Sequence, residues 1–146
     1  MLEAKGNIWY LDGDALCITT NGFVKKDGTC VMGRGIAKEA AGLRPELPAI
    51  LGSLIQSKGN HVHVLDYDSH YRQWVLSFPV KHNWFEKADI KLIKRSAEEL
   101  VVKADELEWE RVLLPRPGCG NGKLNWEEVK AVLEPILDDR FVAVTF

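Results

Sequence analysis

The sequence predicts an α/β fold, a mixed and mostly parallel sheet with helices on both faces. Three observations carry this expectation. Strand-like runs alternate with helix-like runs along the chain, the pattern that crossover connections between parallel strands impose. The 146 residues are 46% hydrophobic, enough for one sizeable core and too little for two. Two glycine-rich loops, Val31–Lys38 and Pro115–Trp126, each follow a strand-like run and lead into a helix-like one. Ligands on such sheets bind beyond the carboxyl ends of the strands, where both loops would lie.

The elements follow in order. Ile8-Trp9-Tyr10 and Ala15-Leu16-Cys17-Ile18-Thr19 read as strands separated by the turn Asp12-Gly13-Asp14. Asn21-Gly22 starts a loop, and Asp27-Gly28 marks a turn within it. From Gly35, the residues Ile36, Ala37, Ala40, Ala41 and Leu43 suit a short, closely packed helix. Pro45 opens another, with Leu47, Ile50, Leu51, Leu54 and Ile55 at helical spacing and an end at Lys58-Gly59-Asn60. Val62 and Val64 pair with Trp74–Phe78 as a hairpin around Asp66–Ser69. After Asp89, the stripe Ile90, Ile93, Ala97, Leu100, Val101, Ala104 and Leu107 marks the clearest helix. Arg111–Leu114 is a short buried strand feeding the second glycine loop. Asn125, three residues before Glu128, forms a capping-box variant for a helix carrying Val129, Val132, Leu133 and Ile136. Phe141–Phe146 closes the chain as a strand. No repeat or linker interrupts this series, so residues 1–146 are expected to form one domain.

Composition excludes several function classes. With 19 basic and 21 acidic residues, the formal net charge is -2, which gives no footprint for sequence-independent nucleic-acid binding. Cys17, Cys30 and Cys119 are odd in number and form no C-x-x-C pair, which suits a reducing cytosol and argues against a disulfide framework or structural zinc. Met1–Lys5 has no apolar signal region, and no run approaches membrane-spanning length. A cytoplasmic monomer without membrane attachment is the expectation. His61 and His63 are spaced for one strand face but have no third ligand in motif spacing, so neither a metal nor a cofactor is expected.

Familiar nucleotide fingerprints fail. Gly33-x-Gly35-x-x-Lys38 lacks the third glycine of the dinucleotide motif. Gly118–Lys123 has the wrong spacing for a P-loop, and Leu124 stands where Ser or Thr would hold magnesium.

Gly6-Asn7-Ile8, Asp14-Ala15-Leu16, Thr20-Asn21, Met32-Gly33-Arg34-Gly35-Ile36-Ala37 and Pro115-Arg116-Pro117-Gly118-Cys119-Gly120 together resemble the macrodomain family over essentially the whole chain. With Phe78-Pro79-Val80-Lys81 and the Leu124-x-Trp126 pair, the chain looks most like the branch of terminal ADP-ribose glycohydrolases and DNA-de-ADP-ribosylating antitoxins. The resemblance implies a three-layer α/β/α sandwich that binds ADP-ribose and hydrolyses an ADP-ribosyl linkage. It leaves open a non-catalytic reader, or a phosphatase acting on ADP-ribose-1″-phosphate. The partner is then ADP-ribose itself or an ADP-ribosylated protein, nucleic acid or small molecule. An antitoxin role would need a separate toxin.

The resemblance also assigns residues. Asn7 stands where most members have an aspartate that accepts from the adenine amine, although it also reads as a turn-capping residue. Asn21 matches the asparagine at the distal ribose, against the alternative of a simple Asn-Gly turn. Gly33, Arg34, Gly35, Ile36 and Ala37 would line the pyrophosphate, their amides donating to phosphate oxygens. Pro115, Gly118, Cys119, Gly120, Asn121 and Gly122 would form the loop enclosing the phosphates and distal ribose, Cys119 serving by shape rather than as a nucleophile. Lys81 is the candidate catalytic group, assisted by Asn21; its bland alternative is an exposed surface lysine. A nucleophilic amine needs desolvation or a neighbouring cation, and Phe78, Pro79 and Trp84 are candidates for an apolar surround. Glycohydrolases acting on protein acidic residues carry an aspartate where Gly122 stands here, which moves the expectation toward nucleic-acid-linked substrates, small-molecule substrates or no turnover, and leaves space for a bulkier leaving group. His82, beside Lys81, is a candidate acid–base helper. Val24–Thr29 lengthens the first loop and reads as an exposed turn, with covering the site or touching a substrate phosphate as the alternative.

Overall fold

The computed structural model describes residues 1–146 as one six-stranded sheet between two helical layers. In chain order the elements are β1 (Leu2–Lys5), a 3-10 turn (Ile8–Tyr10), β2 (Ala15–Asn21), α1 (Gly35–Leu43), α2 (Leu47–Lys58), β3 (Val64–Asp68), β4 (Gln73–Lys81), α3 (Ile90–Glu106), β5 (Val112–Pro115), α4 (Trp126–Leu133) and β6 (Phe141–Thr145). The sheet order is β1-β6-β5-β2-β4-β3, and every neighbouring pair is parallel except β3 with β4. The three-layer sandwich expected from the sequence is the observed architecture.

Strand alternation sorts the core into two halves. Ala15, Cys17, Leu76, Phe78, Val112 and Leu114 face α3 and α4, where Ile93, Ala97, Leu100, Val129 and Leu133 meet them. Leu16, Ile18, Val75, Leu113 and Val142 face the opposite layer, against Ala37 and Ala40 of α1 and Leu47 and Leu51 of α2. Because both faces are covered, the central strands are apolar on consecutive residues. Cys17 is fully buried, as expected of a core thiol, and its burial raises its pKa well above that of a free thiol. No helix is long and apolar enough to cross a membrane.

Several local expectations are corrected. Ile8-Trp9-Tyr10 is a 3-10 turn rather than a strand: Asn7 caps it by accepting from the Trp9 amide at 3.1 Å, and only Ile8 is buried. Leu2–Lys5, read only for its lack of a signal region, is an edge strand paired with β6. The second helix begins at Leu47 with Pro48, not Pro45, in its first turn. The hairpin turn lies beyond Asp68, so Asp66 and Tyr67 belong to β3. His61 and His63 precede that strand: His61 Nδ1 lies 2.7 Å from Glu99, and His63 Nε2 lies 2.9 Å from the Gly59 carbonyl. Asn125 does cap α4, accepting from Glu127 N at 2.8 Å, but the helix ends at Leu133, before Ile136.

Candidate functional site

Parallel strands deliver their carboxyl ends to one edge of the sheet. There β2 ends at Asn21, β4 at Lys81, β5 at Pro115 and β6 at Thr145, and a cleft of about 730 Å³ opens above them. Its lining includes Asn21, Gly33, Arg34, Gly35, Ile36, Ala37, Lys81, Pro115, Gly118, Gly120, Asn121 and Gly122. Two residues assigned from the sequence are missing from that lining. The side-chain oxygen of Asn7 is committed to its cap, and the Cys119 side chain packs on the core with its Sγ 3.4 Å from the Pro117 carbonyl. Burial raises the Cys119 pKa, the opposite of what a nucleophilic thiol needs.

Backbone amides define the cleft. Helix α1 starts at Gly35, whose φ is +58°, and its N-cap Arg34 makes no side-chain capping bond. The N–H groups of Gly33, Arg34, Gly35, Ile36 and Ala37 therefore find no acceptor within the protein. Across the cleft, the N–H groups of Gly120, Asn121 and Gly122 are likewise without one. The second loop is held by its own bonds instead, Lys123 N to Gly120 O at 3.0 Å and Leu124 N to Gly118 O at 2.9 Å. A Cβ on Gly35 would stand 3.4 Å from Asn121 Nδ2, so the two loops approach each other directly. Eight unpaired amides and a helix N-terminus converge on one cleft, an arrangement suited to an anion.

Asn21 ties the first loop together. Its Nδ2 donates to Val31 O and its Oδ1 accepts from Phe23 N, both at 2.9 Å. Gly22 is required beside it, since a Cβ there would lie 2.8 Å from Asn60 Nδ2. Asn60 in turn donates to Lys81 O at 3.0 Å. Lys81 Nζ lies 3.4 Å from both Trp84 O and Asn121 O. Its pKa is lowered by burial first, then by the charges of Arg34 and Lys123. Of the apolar residues expected around Lys81, only Trp84 borders the cleft; Phe78 is in the core, and Pro79 lends its carbonyl to Ser96.

Gly122 corrects a second expectation. A Cβ there would stand 2.6 Å from Gly118 O and 2.7 Å from Ala88 Cβ, so close packing, rather than room for a leaving group, requires this glycine. The single acidic side chain lining the cleft is that of Glu39, which accepts from Trp9 Nε1 at 2.6 Å. His82 does not line the cleft and pairs with Asp89 at 2.9 Å. Lys25, from the Val24–Thr29 segment for which an exposed turn is the favoured expectation, does line it. Sequence reasoning missed Thr20, Phe23, Val144, Thr145 and Phe146 among the lining residues. Val144 and Thr145 come from β6 and Phe146 directly follows it, and the place of that strand beside β5 is encoded by no local pattern.

No protein-family profile matches the chain. It is 25% identical over 138 residues to a DNA ADP-ribosyl glycohydrolase of Thermus aquaticus, covering 92% of this chain and 37% of that protein. The chain thus spans little more than a third of that relative. It is 27% identical over 150 residues to the ADP-ribose glycohydrolase OARD1 of Bos taurus, covering 98% of this chain and 93% of that one. Among solved structures, the macrodomain of Mycobacterium tuberculosis DarG superposes with a TM-score of 0.80 at 25% identity, over 97% of this chain and 94% of that one. Thermosipho africanus DarTG in complex with ADP-ribose also gives 0.80, at 20% identity, over 97% of this chain and 40% of that one.

Proposed function

We propose that residues 1–146 form a single macrodomain that binds ADP-ribose and hydrolyses an ADP-ribosyl linkage, a reading supported by the similarity to the DarG macrodomain and to OARD1. The observation that carries this reading is the pair of amide nests facing each other over the cleft, with Lys81 beyond them. A diphosphate accepts from amides of both loops. The ribose next to it then lies toward Asn21 and Lys81, whose chain positions are in register.

Lys81 supplies the chemistry in this reading. Burial and two neighbouring cations lower its pKa, which raises the fraction of neutral amine near neutral pH. The amine lone pair forms a bond to the anomeric carbon as the bond to the leaving group breaks. The leaving group departs with that electron pair and takes up the proton the nitrogen sheds. Water then displaces the amine, releasing ADP-ribose and restoring Lys81. Asn21 positions the loop that holds the substrate.

Two measurements on one pair of proteins test the proposal. Calorimetry should give saturable, micromolar binding of ADP-ribose to both wild type and Lys81→Ala. Release of ADP-ribose from modified substrates should fall at least about 100-fold in Lys81→Ala, the scale of a lost proton-transfer or nucleophilic group. Wild-type binding without release from protein, nucleic acid or small-molecule conjugates would make the domain a reader. Absence of binding would end the proposal.

A further inference from the structure

Lys81 is held from a side of β4 that does not face the cleft. On one edge of the strand it is in register with Asn21 of β2. On the other edge β4 loses its partner early, because β3 pairs with it only over Gln73–Leu76. The residues from Ser77 to Lys81 therefore have no strand beside them there, and their backbone groups must find partners elsewhere.

Side chains and a short connecting segment supply those partners. Ser77 N donates to His63 O at 2.9 Å, while its hydroxyl accepts from His63 N at 2.9 Å and donates to His61 O at 3.0 Å. Ser96, the one buried polar residue of α3, donates to Pro79 O at 2.7 Å. Asn60 Nδ2 donates to Lys81 O at 3.0 Å. Ser77, Pro79 and Lys81 are alternate residues, and each is bonded to a group from outside the sheet.

Asn60 is fixed in turn. Arg95 of α3 donates through Nη2 to the Asn60 backbone carbonyl, and its Nε lies 3.6 Å from Glu99 Oε2. Glu99 accepts from Val62 N at 2.9 Å and meets His61 Nδ1 at 2.7 Å. Arg95 and Glu99 stand one helical turn apart, so one face of α3 grips residues 60–62. The Asn60 amide also fills the space beside Gly22, where a Cβ would lie 2.8 Å from its Nδ2. Neither Asn60 nor Arg95 lines the cleft. At the far end of the lysine, Nζ has only two long contacts, 3.4 Å to Trp84 O and 3.4 Å to Asn121 O, so the backbone anchor decides where the amine stands.

We propose that Asn60, held by Arg95, is a positioning residue for Lys81: it sets the place of the reactive amine over the cleft without touching the substrate. This rests on the reading of Lys81 as the reactive group and adds to it a support from outside the cleft. Ligand binding is held separately, by the amide nests and by the two bonds of Asn21 within the first loop. Loss of Asn60 should therefore act on turnover and spare affinity.

The test measures wild type, Lys81→Ala, Asn60→Ala, Arg95→Ala and the Asn60→Ala/Arg95→Ala double variant. Turnover is followed on an ADP-ribosylated oligonucleotide and an ADP-ribosylated peptide, and affinity by calorimetry with free ADP-ribose. Asn60→Ala should lower kcat by at least about tenfold, within the roughly 100-fold that a misplacement of 1 Å can cost. Its affinity for ADP-ribose should match that of wild type. Burial is the largest cause lowering the Lys81 pKa, so the rising limb of kcat/KM should also move to higher pH as the lysine is released. Arg95→Ala should lower kcat less, and the double variant should be no slower than Asn60→Ala, because Arg95 acts through Asn60. A wild-type kcat in Asn60→Ala would overturn the proposal, as would a loss of affinity equal to the loss of kcat. Losses that multiply in the double variant would remove Arg95 from it. No turnover by wild type, or turnover that survives Lys81→Ala, would instead end the reading of Lys81 as the reactive group, and the role of Asn60 with it.

Discussion

Asn21 and Lys81 pair across β2 and β4 immediately after an irregularity that matches Thr20 with Pro79 and leaves Val80 over. A bulge of this kind bends the strand and redirects the side chains beyond it. Here it brings both Val80 and Lys81 to the cleft at the point where the Asn21 amide begins to organise the first loop. The backbone of Lys81 is held independently by Asn60, and the next carbonyl, His82 O, by Gly22 N. The candidate reactive amine therefore projects from a fixed strand end.

Asn21 should then be needed for structure as well as for binding. Its side chain makes two half-buried hydrogen bonds to backbone, one to each arm of the loop. Asn21→Ala is expected to cost about 1–3 kcal/mol, at roughly 1 kcal/mol net per bond, and to weaken ADP-ribose binding. Urea unfolding and calorimetry measure the two effects. Asn21→Asp keeps the acceptor for Phe23 N but loses the donor to Val31 O, so it should fall between Asn21→Ala and wild type in stability.

Activity should rise with pH along a limb set by Lys81. The group must be neutral to attack, and burial, Arg34 and Lys123 all lower its pKa. The rate is therefore low where Lys81 is protonated and levels off at a lower pH than an ordinary lysine would allow. Lys123→Gln removes one of the two neighbouring cations, so the Lys81 pKa rises and the limb moves to higher pH. The pH profile of kcat/KM reads this directly. An unchanged limb in Lys123→Gln would show that burial and Arg34 set the shift without it.

Two of the three glycines of the second loop, Gly120 and Gly122, should separate cleanly. Gly122 is packed against Gly118 and Ala88, whereas a Cβ on Gly120 meets nothing within 4 Å. Gly122→Ala is expected to cost about 1–3 kcal/mol, as overpacking does, and to displace the amide nest. Gly120→Ala should leave stability nearly unchanged. Thermal melts of both variants, followed by ADP-ribose titration, distinguish a fold requirement from a contact requirement.

The legible parts of the sequence were those with a local physical signature. Leu16 and Ile18 face one helical layer while Ala15 and Cys17 face the other, so the central strand showed as a continuous apolar run. The glycine loops were legible because Gly35 and Gly118 need positive φ, and Gly118 and Gly122 leave no space for a side chain. Ile8–Tyr10 misled because three apolar residues resemble a strand until Asn7 turns them into a capped 3-10 turn with Tyr10 out in solvent. β1 is only four residues long and pairs with a partner at the far end of the chain. Thr145 and Phe146 were invisible as site residues because their arrival at the cleft depends on sheet order, a non-local property.

Thr20 provides a prediction of opposite sign. It is 5% exposed at the end of β2, and its hydroxyl has no hydrogen-bond partner. An unsatisfied buried hydroxyl carries a desolvation cost that an apolar group of the same shape avoids. Thr20→Val keeps the branched outline, suits a strand, and should leave the protein equally stable or more stable by about 1 kcal/mol. Thr20→Ala removes the methyl group as well and should be the less stable of the two. Paired denaturant titrations decide the matter. A loss of more than about 1 kcal/mol in Thr20→Val would mean that the hydroxyl is hydrogen-bonded in solution, with water supplying the partner inside the cleft.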